Sequence, residues 1–143
     1  PEANFVAVGR PTDEEDFLKD TEKIPNFKHI AFMTREDIAI FLASSKVFIF
    51  PSIREPAALV ILEAMASGKP LVLYDIEPHR EIIEISNAGK IFSFNENSDF
   101  ISIVDDVYKN RDLFKISGLK FAKNHDWKLI CQQVIHNFEK LEN

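Results

Sequence analysis

Two glutamates, Glu55 and Glu63, are the residues of this chain best placed to hold a ligand, because they are the only charged residues in an otherwise apolar run, with seven apolar residues between them. A helix through this run would separate them by about 12 Å. That distance exceeds the roughly 5–9.5 Å between the paired carboxylates of a glycoside hydrolase, but it suits two contacts to one extended ligand. A structural interpretation stays open: Glu55 is then a first-turn acid favoured by the helix dipole, and Glu63 a salt-bridge partner at the core edge.

The backbone around Glu55 favours an anionic ligand. A helix is predicted at 56–66, with Pro56 in its first turn, directly after a strand at 46–50. Its N-terminus offers free N–H groups, and the small side chains of Ala57 and Ala58 allow a phosphate to approach them. The helix is apolar on nearly all sides, so we expect it to be mostly buried, and a buried Glu63 would need a hydrogen-bonded partner.

Other common catalytic arrangements are missing from the sequence. It contains no G-x-G-x-x-G, no P-loop and no G-x-S-x-G. The four histidines are scattered and there is one cysteine, so no metal-ligand spacing occurs: His29, His79, His125, His136 and Cys131. These absences disfavour an ATPase, a zinc enzyme and a serine hydrolase.

Length and composition indicate one compact domain. The chain has 143 residues, of which 45% are hydrophobic, so it can bury a core. Four glycines and one cysteine exclude a collagen or a disulfide scaffold. The net charge of −6 argues against nucleic acid as a partner. No apolar run reaches the roughly 18–20 residues of a membrane span and no signal peptide is visible, so we expect a soluble, cytoplasmic domain.

Strands and helices alternate along the chain. Strands are predicted at 4–8, 29–32, 46–50, 71–74 and 90–94. Helices are predicted from about 12 to 20 and at 35–44, 56–66, 77–85, 98–109, 111–124 and 127–141. This order predicts an α/β fold with a doubly wound parallel sheet of about five visible strands, followed by a helical C-terminal segment.

Local signals fix several of these boundaries. Thr34 and Asp37 resemble a capping box, and Gly68 followed by Pro70 ends the helix at 56–66. The strand at 46–50 is apolar on both faces, as expected of a central parallel strand. Ordinary core positions, rather than a surface for stacking, are predicted for the phenylalanines at 5, 17, 32, 41, 48, 50, 92 and 94.

The run from Pro51 to Val72 resembles the signature of group 1 glycosyltransferases, a family of retaining, nucleotide-sugar-dependent enzymes with the GT-B fold. The matching residues are Pro51-Ser52, Glu55-Pro56, Leu59, Leu62-Glu63-Ala64-Met65-Ala66, Gly68 and Pro70-Leu71-Val72. Flanking segments at 32–37, 42–45, 81–83, 87–91 and 122–127 are also similar, so the resemblance covers almost the whole chain.

The resemblance implies a Rossmann-like, donor-binding C-terminal half of a GT-B enzyme, covering 1–143. Glu55 would be catalytic and contact the transferred sugar, while Glu63 would hold the ribose hydroxyls of the donor. The remaining donor-binding residues would be Phe32 and Met33 beside the base, Arg54, and the backbone of Ala57, Ala58 and Leu59 facing the sugar and diphosphate. The donor would be a UDP- or GDP-sugar, no cofactor or metal would be required, and the partner would be the N-terminal acceptor domain of the same full-length protein.

Two departures qualify the resemblance. The family's Phe-Gly pair is Ala57-Ala58 here, which adds a methyl group where the donor approaches and predicts altered donor choice or weaker binding. Arg10 follows Gly9 as in the family's phosphate-binding strand, but the acidic sequence after it indicates a loop residue. We therefore expect the family's first, central strand and its acceptor domain to be absent from these 143 residues. The strands at 4–8 and 46–50 would then pair with each other directly, or a strand from another chain would lie between them, or these residues would be part of a longer chain that supplies the strand.

Two other functions are compatible with the sequence. The first is a nucleotide-sugar epimerase of the same architecture, although such an enzyme would lack the paired glutamates. The second is a degenerate, non-catalytic binding or assembly module. His79-Arg80 would face an acceptor or a phosphate, or form an exposed turn. A basic run near the C-terminus predicts a solvated helix face, with weak association with anionic lipid as the minor alternative: Lys109, Arg111, Lys115, Lys120 and Lys123.

Overall fold

The computed structural model describes residues 3–11, 13–54, 59–94 and 99–141. The chain divides into two compact units, Pro1–Ile40 and Phe41–Asn143. The division falls within one helix, which spans residues 35–44.

The first unit is built on a parallel pair of strands. It contains β1 (Phe5–Val8), α1 (Glu14–Thr21), β2 (Phe27–Ile30) and the beginning of α2 (Arg35–Ser44). β1 and β2 pair with Phe5 opposite Phe27 and Val8 opposite Ile30. The prediction of a strand at 29–32 was therefore wrong by two residues, because backbone hydrogen bonds from Phe5 N to Asn26 O and from Gly9 N to Ile30 O fix an earlier register.

Side-chain caps begin both helices of this unit. Asp13 accepts a hydrogen bond from Asp16 N at the start of α1. The predicted cap of α2 is confirmed: Asp37 N donates to Thr34 Oγ1 at 3.1 Å, and Thr34 Oγ1 donates to Asp37 Oδ2 at 2.8 Å. The bonds donated by Asp16 N and Asp37 N satisfy N–H groups that have no partner inside a helix.

The second unit holds a three-stranded parallel sheet and most of the helices. Its elements after α2 are β3 (Phe48–Phe50), α3 (Leu59–Ala66), β4 (Leu71–Tyr74), α4 (Glu77–Ser86), β5 (Gly89–Phe92), α5 (Phe100–Lys109), α6 (Arg111–Asn124) and α7 (Trp127–Leu141). The strand order is β3-β4-β5. All five described strands of the chain are parallel to their neighbours, as the α/β prediction requires.

The middle strand of this sheet forms the centre of the core. Leu71, Val72 and Leu73 of β4 are completely buried. Val72 packs with Phe92 of β5 and Val107 of α5, and α3 and α6 pack against each other beside them. Burial on both faces explains why β4 is continuously apolar.

β3 was predicted to be a central strand, but it lies at the end of its sheet. Within the described residues its hydrogen-bonded neighbour is β4, and all three of its residues are half-buried. β1 pairs with β2 in a separate sheet, so the direct pairing of β1 with β3 that we considered is not observed in the described part of the chain.

The prediction that eight phenylalanines belong to the core was wrong for three of them. Phe92 is buried, and the half-buried ones are Phe17, Phe41, Phe48 and Phe50. Phe5, Phe32 and Phe94 are 43%, 74% and 70% exposed. Phe32 and Phe94 each lie two residues beyond the end of a strand, where the alternation of buried and exposed sides no longer applies.

The three C-terminal helices agree with the predicted boundaries, except that α5 starts two residues later because Asp99 caps it. The five basic residues between 109 and 123 are exposed, as predicted for a solvated face. Lys109 pairs with Asp105, and the Arg111 guanidinium lies 4.9 Å from the centre of the Tyr108 ring. None of the described helices combines the length and apolar composition needed to cross a bilayer.

Candidate functional site

The motif resembling a donor site spans the start of α3. Glu55, Pro56, Ala57 and Ala58 lie outside the described residues, so the roles assigned to them stay predictions. Of the neighbouring positions, Arg54 is exposed and Leu59 is 54% exposed. Both side chains are accessible where the motif enters the helix.

Glu63 is exposed on α3, so our expectation that it is a buried carboxylate with a hydrogen-bonded partner was wrong. α3 buries Ile61, Ala64 and Met65, and its other apolar residues are half-buried or exposed. No described residue forms an ion pair or side-chain hydrogen bond with Glu63. The salt-bridge interpretation therefore finds no support in the described structure, and the carboxylate is accessible to a ligand.

The end of α3 follows the sequence prediction. Gly68 adopts a φ of +69°, Gly68 N donates to Met65 O, and Lys69 N donates to Ala64 O, both at 2.9 Å. This pattern is a Schellman motif, which glycine favours because it has no Cβ. It fixes the length of the helix that carries Glu63.

Lys69 links this turn to the end of α2. Its Nζ donates to Ala43 O at 2.9 Å and to Ser45 O at 3.1 Å, so it satisfies carbonyls that have no partner inside α2. Burial lowers the pKa of Lys69, and the charges of Lys115 and Lys46 lower it further. The contact holds the ends of α2 and α3 together.

His79 is 2% exposed, so of the two alternatives left open by the sequence the exposed turn is wrong for this residue. Its Nδ1 lies 2.8 Å from Tyr74 O, and because a carbonyl only accepts, Nδ1 carries the proton. The imidazole meets the Phe50 ring edge-on, with the centroids 5.7 Å apart. His79 thus braces the carboxyl ends of β3 and β4.

Arg80, by contrast, is exposed, and its Nε donates to Asp75 Oδ1. This hydrogen bond and the charge of Arg80 lower the pKa of the Asp75 carboxyl, and the same contact raises the pKa of Arg80. The loop after β4 and the first turn of α4 therefore carry a charged pair, and His79 of α4 places a buried imidazole beside it.

An aromatic group at the carboxyl ends of β4 and β5 was missed in the sequence. Tyr74 and Phe92 are the last residues of these strands, and their rings contact each other and that of Phe94. Phe100, the first residue of α5, packs on Phe92 with centroids 4.8 Å apart. The available signal was the position of Phe94 directly before the polar run Asn95-Glu96-Asn97, where a core strand has ended.

Phe32 and Met33, predicted to border the base, belong to the first unit. They follow the carboxyl end of β2, with Phe32 exposed and Met33 half-buried. Arg10 is exposed after β1, which is consistent with a loop residue. Among the described residues, no three His, Cys, Asp or Glu side chains are grouped so that they could hold a metal ion.

A family model described as "Glycosyl transferases group 1" matches residues 1–125. The chain therefore belongs to the group 1 glycosyltransferase family, and the resemblance drawn from the motif is confirmed.

Two curated relatives and one solved structure illustrate the match. The chain is 23% identical over 145 residues to a phosphatidyl-myo-inositol mannosyltransferase of Mycobacterium leprae, covering 96% of this chain. It is 28% identical over 120 residues to O-antigen chain mannosyltransferase B of Escherichia coli, covering 80% of this chain. Sucrose-phosphate synthase of Thermosynechococcus elongatus superposes with a TM-score of 0.75 at 17% identity over 95% of this chain. The predicted GT-B type of α/β fold is thereby confirmed.

The chain spans only part of each of these proteins. It covers 38% and 30% of the length of the two mannosyltransferases and 37% of the synthase chain.

Proposed function

We propose that this chain binds a nucleotide-diphosphate sugar and forms the donor-binding half of a glycosyltransferase that acts with retention of configuration. Family membership supports the reaction class. The observation that carries the site is the exposure of Glu63 on α3, without an ion pair to any described residue. A glutamate that stabilised the fold through a salt bridge would have such a partner.

In this proposal each motif residue has a physical task. The Glu63 carboxylate accepts hydrogen bonds from the two ribose hydroxyls, a charge-assisted contact that orients the nucleotide. Glu55 contacts the transferred sugar, and the backbone of Ala57, Ala58 and Leu59 faces the sugar and diphosphate. The positive end of the helix dipole and its N–H groups offset the negative charge there, so no metal ion is needed.

The other predicted residues complete the donor site. Arg54 precedes the motif helix and is exposed, as a residue in contact with an anionic ligand must be. Phe32 and Met33 border the base, which suits a largely exposed aromatic ring next to a half-buried thioether.

The acceptor is held by another part of the protein in this proposal. The matched relatives are about three times as long as the aligned segment, which supports an N-terminal acceptor domain in the same full-length protein. The sugar donor is a UDP- or GDP-sugar, and the names of the two mannosyltransferases favour mannose as the sugar for the first trial. The 143-residue chain alone is expected to be inactive. The full-length protein is expected to act in the cytoplasm, with at most weak binding to the membrane surface.

The test is calorimetric titration of the chain with UDP, GDP, UDP-glucose and GDP-mannose, comparing Glu63→Gln with Glu84→Gln. Glu84 is a matched control because it is also exposed on a helix of the second unit. A hydrogen bond to a charged group is worth about 1.5–3 kcal/mol, so Glu63→Gln should weaken binding by about 10- to 150-fold. Equal affinities for the two variants, or no nucleotide binding by the wild-type chain, would contradict the proposal.

A non-catalytic nucleotide-sugar binding or assembly module is the second candidate. The observation that favours it is Ala57-Ala58 in place of the family's Phe-Gly pair. Ala58→Gly separates the candidates in an assay of the full-length protein for sugar transfer to an acceptor. Activity already present in the wild type excludes the module, and activity that appears only in Ala58→Gly identifies a lapsed enzyme.

A further inference from the structure

Phe94 is a fixed aromatic ring that the fold leaves uncovered. It is 70% exposed. The Tyr74 ring lies beside it with centroids 5.5 Å apart and planes 31° apart, and the Phe92 ring meets it at 85° with centroids 5.1 Å apart. We call Tyr74, Phe92, Phe94 and Phe100 the aromatic cluster.

The cluster is anchored below and open above. Phe92 is 2% exposed and packs on Val72 and Val107 in the core. Tyr74 and Phe100 are half-buried, so Phe94 is the one ring of the four that is largely presented to solvent. A ring held in position by its neighbours loses little conformational entropy when a ligand covers it.

The position of the cluster points to a ligand. Tyr74 and Phe92 end β4 and β5, so Phe94 lies at the carboxyl edge of a parallel sheet, where α/β domains bind their ligands. A single exposed Phe distant from this edge would need no explanation.

We propose that Phe94 stacks against a pyranose ring and forms a sugar subsite at the carboxyl edge of the β3-β4-β5 sheet; this inference rests on the function proposed above. One face of a pyranose presents C–H groups of slight positive charge, which the negative face of an aromatic ring attracts. The pyranose hydroxyls lie at the ring edge and stay solvated. One exposed ring matches one sugar ring, whereas a lipid surface or a protein partner needs a wider apolar patch.

The test measures sugar binding without nucleotide, by saturation-transfer NMR of the chain with methyl α-mannopyranoside, methyl α-galactopyranoside and methyl N-acetylglucosaminide. Phe94→Ala should weaken binding of the preferred glycoside by about five- to tenfold, since it removes the stacking surface. Phe94→Trp should retain or strengthen it. Phe138→Ala is the matched control, because Phe138 is 65% exposed on α7 and is not one of the rings of the aromatic cluster, and its loss should change nothing.

Each further result has one meaning. If no glycoside binds the wild-type chain, or if Phe94→Ala and Phe138→Ala behave alike, the subsite is overturned. Glycoside binding that depends on Phe94 in a chain that binds no UDP or GDP supports the subsite and removes the proposed donor function. If the chain binds both a glycoside and a nucleotide, the affinities of Phe94→Ala identify the sugar. When this variant binds the nucleotide sugar more weakly but the nucleotide as well as wild type, the subsite holds the donor sugar. When only its binding of the methyl glycosides is weaker, the subsite holds the acceptor sugar. Unfolding by urea should show the same stability for Phe94→Ala and wild type, because the ring is mostly exposed.

Discussion

Gly89 is the position at which the structure makes its strongest prediction about stability. A Cβ on this residue would lie 1.9 Å from Leu71 O and 2.6 Å from Leu71 C, whereas carbon–oxygen contacts are ordinarily about 3.3–3.6 Å. The atoms in the way are backbone, so Gly89→Ala must push β5 from β4 at the start of their pairing, where Leu71 N donates to Ala88 O at 3.0 Å.

The cost follows from what must be broken. Overpacking a well-packed core costs about 1–3 kcal/mol, and each weakened backbone hydrogen bond adds about 1 kcal/mol. We therefore expect Gly89→Ala to lower the free energy of unfolding by about 3–5 kcal/mol, a large part of the roughly 5–15 kcal/mol typical of a whole domain. Urea denaturation followed by circular dichroism measures this change.

Gly118 supplies the matched comparison. It is buried within α6, but its Cβ would lie 3.4 Å from Ala88 Cβ and 3.6 Å from Met65 Cβ, which is ordinary contact. Alanine is favoured over glycine in a helix by about 0.8–1 kcal/mol, so Gly118→Ala should be neutral or stabilising by up to that amount. The prediction from the strand register is wrong if the free energy of unfolding of Gly89→Ala lies within 1 kcal/mol of wild type, or if Gly89→Ala and Gly118→Ala are destabilised equally.

Three further outcomes are expected in urea unfolding. The free energy of unfolding of His79→Phe should stay within about 1 kcal/mol of wild type, because an aromatic ring still fills the site and Tyr74 O still accepts a hydrogen bond from a backbone N–H. His79→Ala should lower the free energy of unfolding by about 2–4 kcal/mol, because it leaves a cavity. Lys69→Met should cost about 1 kcal/mol, because the loss of two hydrogen bonds to α2 is partly offset by removing a charge whose pKa burial lowers; no change would contradict that bracing role. Arg80 lowers the pKa of Asp75 in the folded state, so their contact stabilises the fold at pH values above the unfolded pKa of about 3.9, and this stabilisation is lost as the pH falls through the folded pKa. Asp75→Asn should therefore make the free energy of unfolding less dependent on pH in this acid range. An unchanged pH profile would argue against the contact.

Local signals predicted the elements that depend on local interactions. The cap at Thr34 and the helix end at Gly68 were found because each is a short-range arrangement of side chain or φ with nearby backbone. β4 was predicted to the residue because burial on both faces leaves an unbroken apolar run.

The errors concern burial, which depends on packing between distant segments. Glu63 was expected to be buried because the composition of its helix is apolar, yet the contacts of α3 cover only one side of it. For His79 the sequence left an exposed turn and a position facing a ligand equally open, yet the residue is buried against the Phe50 ring and the end of β4. Neither contact leaves a signal in the local sequence.

The site was predicted in its motif but not in its surroundings. The spacing of Glu55 and Glu63 indicated a family, and the family model confirms it. Phe94 was predicted to be a core phenylalanine because alternation with Phe92 continues in the sequence after the strand itself has ended, and the polar run after Phe94 was the one signal against this.

The position of β3 at the end of its sheet bears on how the chain behaves when it is concentrated. Within the described residues, the backbone of Phe48–Phe50 is paired on one side, and apolar strands of this kind recruit further strands from solution. Lys46 places a charge just before the strand, and Pro51, directly after it, has no backbone N–H to donate. These two residues limit the segment that can pair with another strand to the three residues of β3. We therefore expect reversible, concentration-dependent self-association that dilution removes, rather than growth of long fibrils, and samples for titration are best kept dilute.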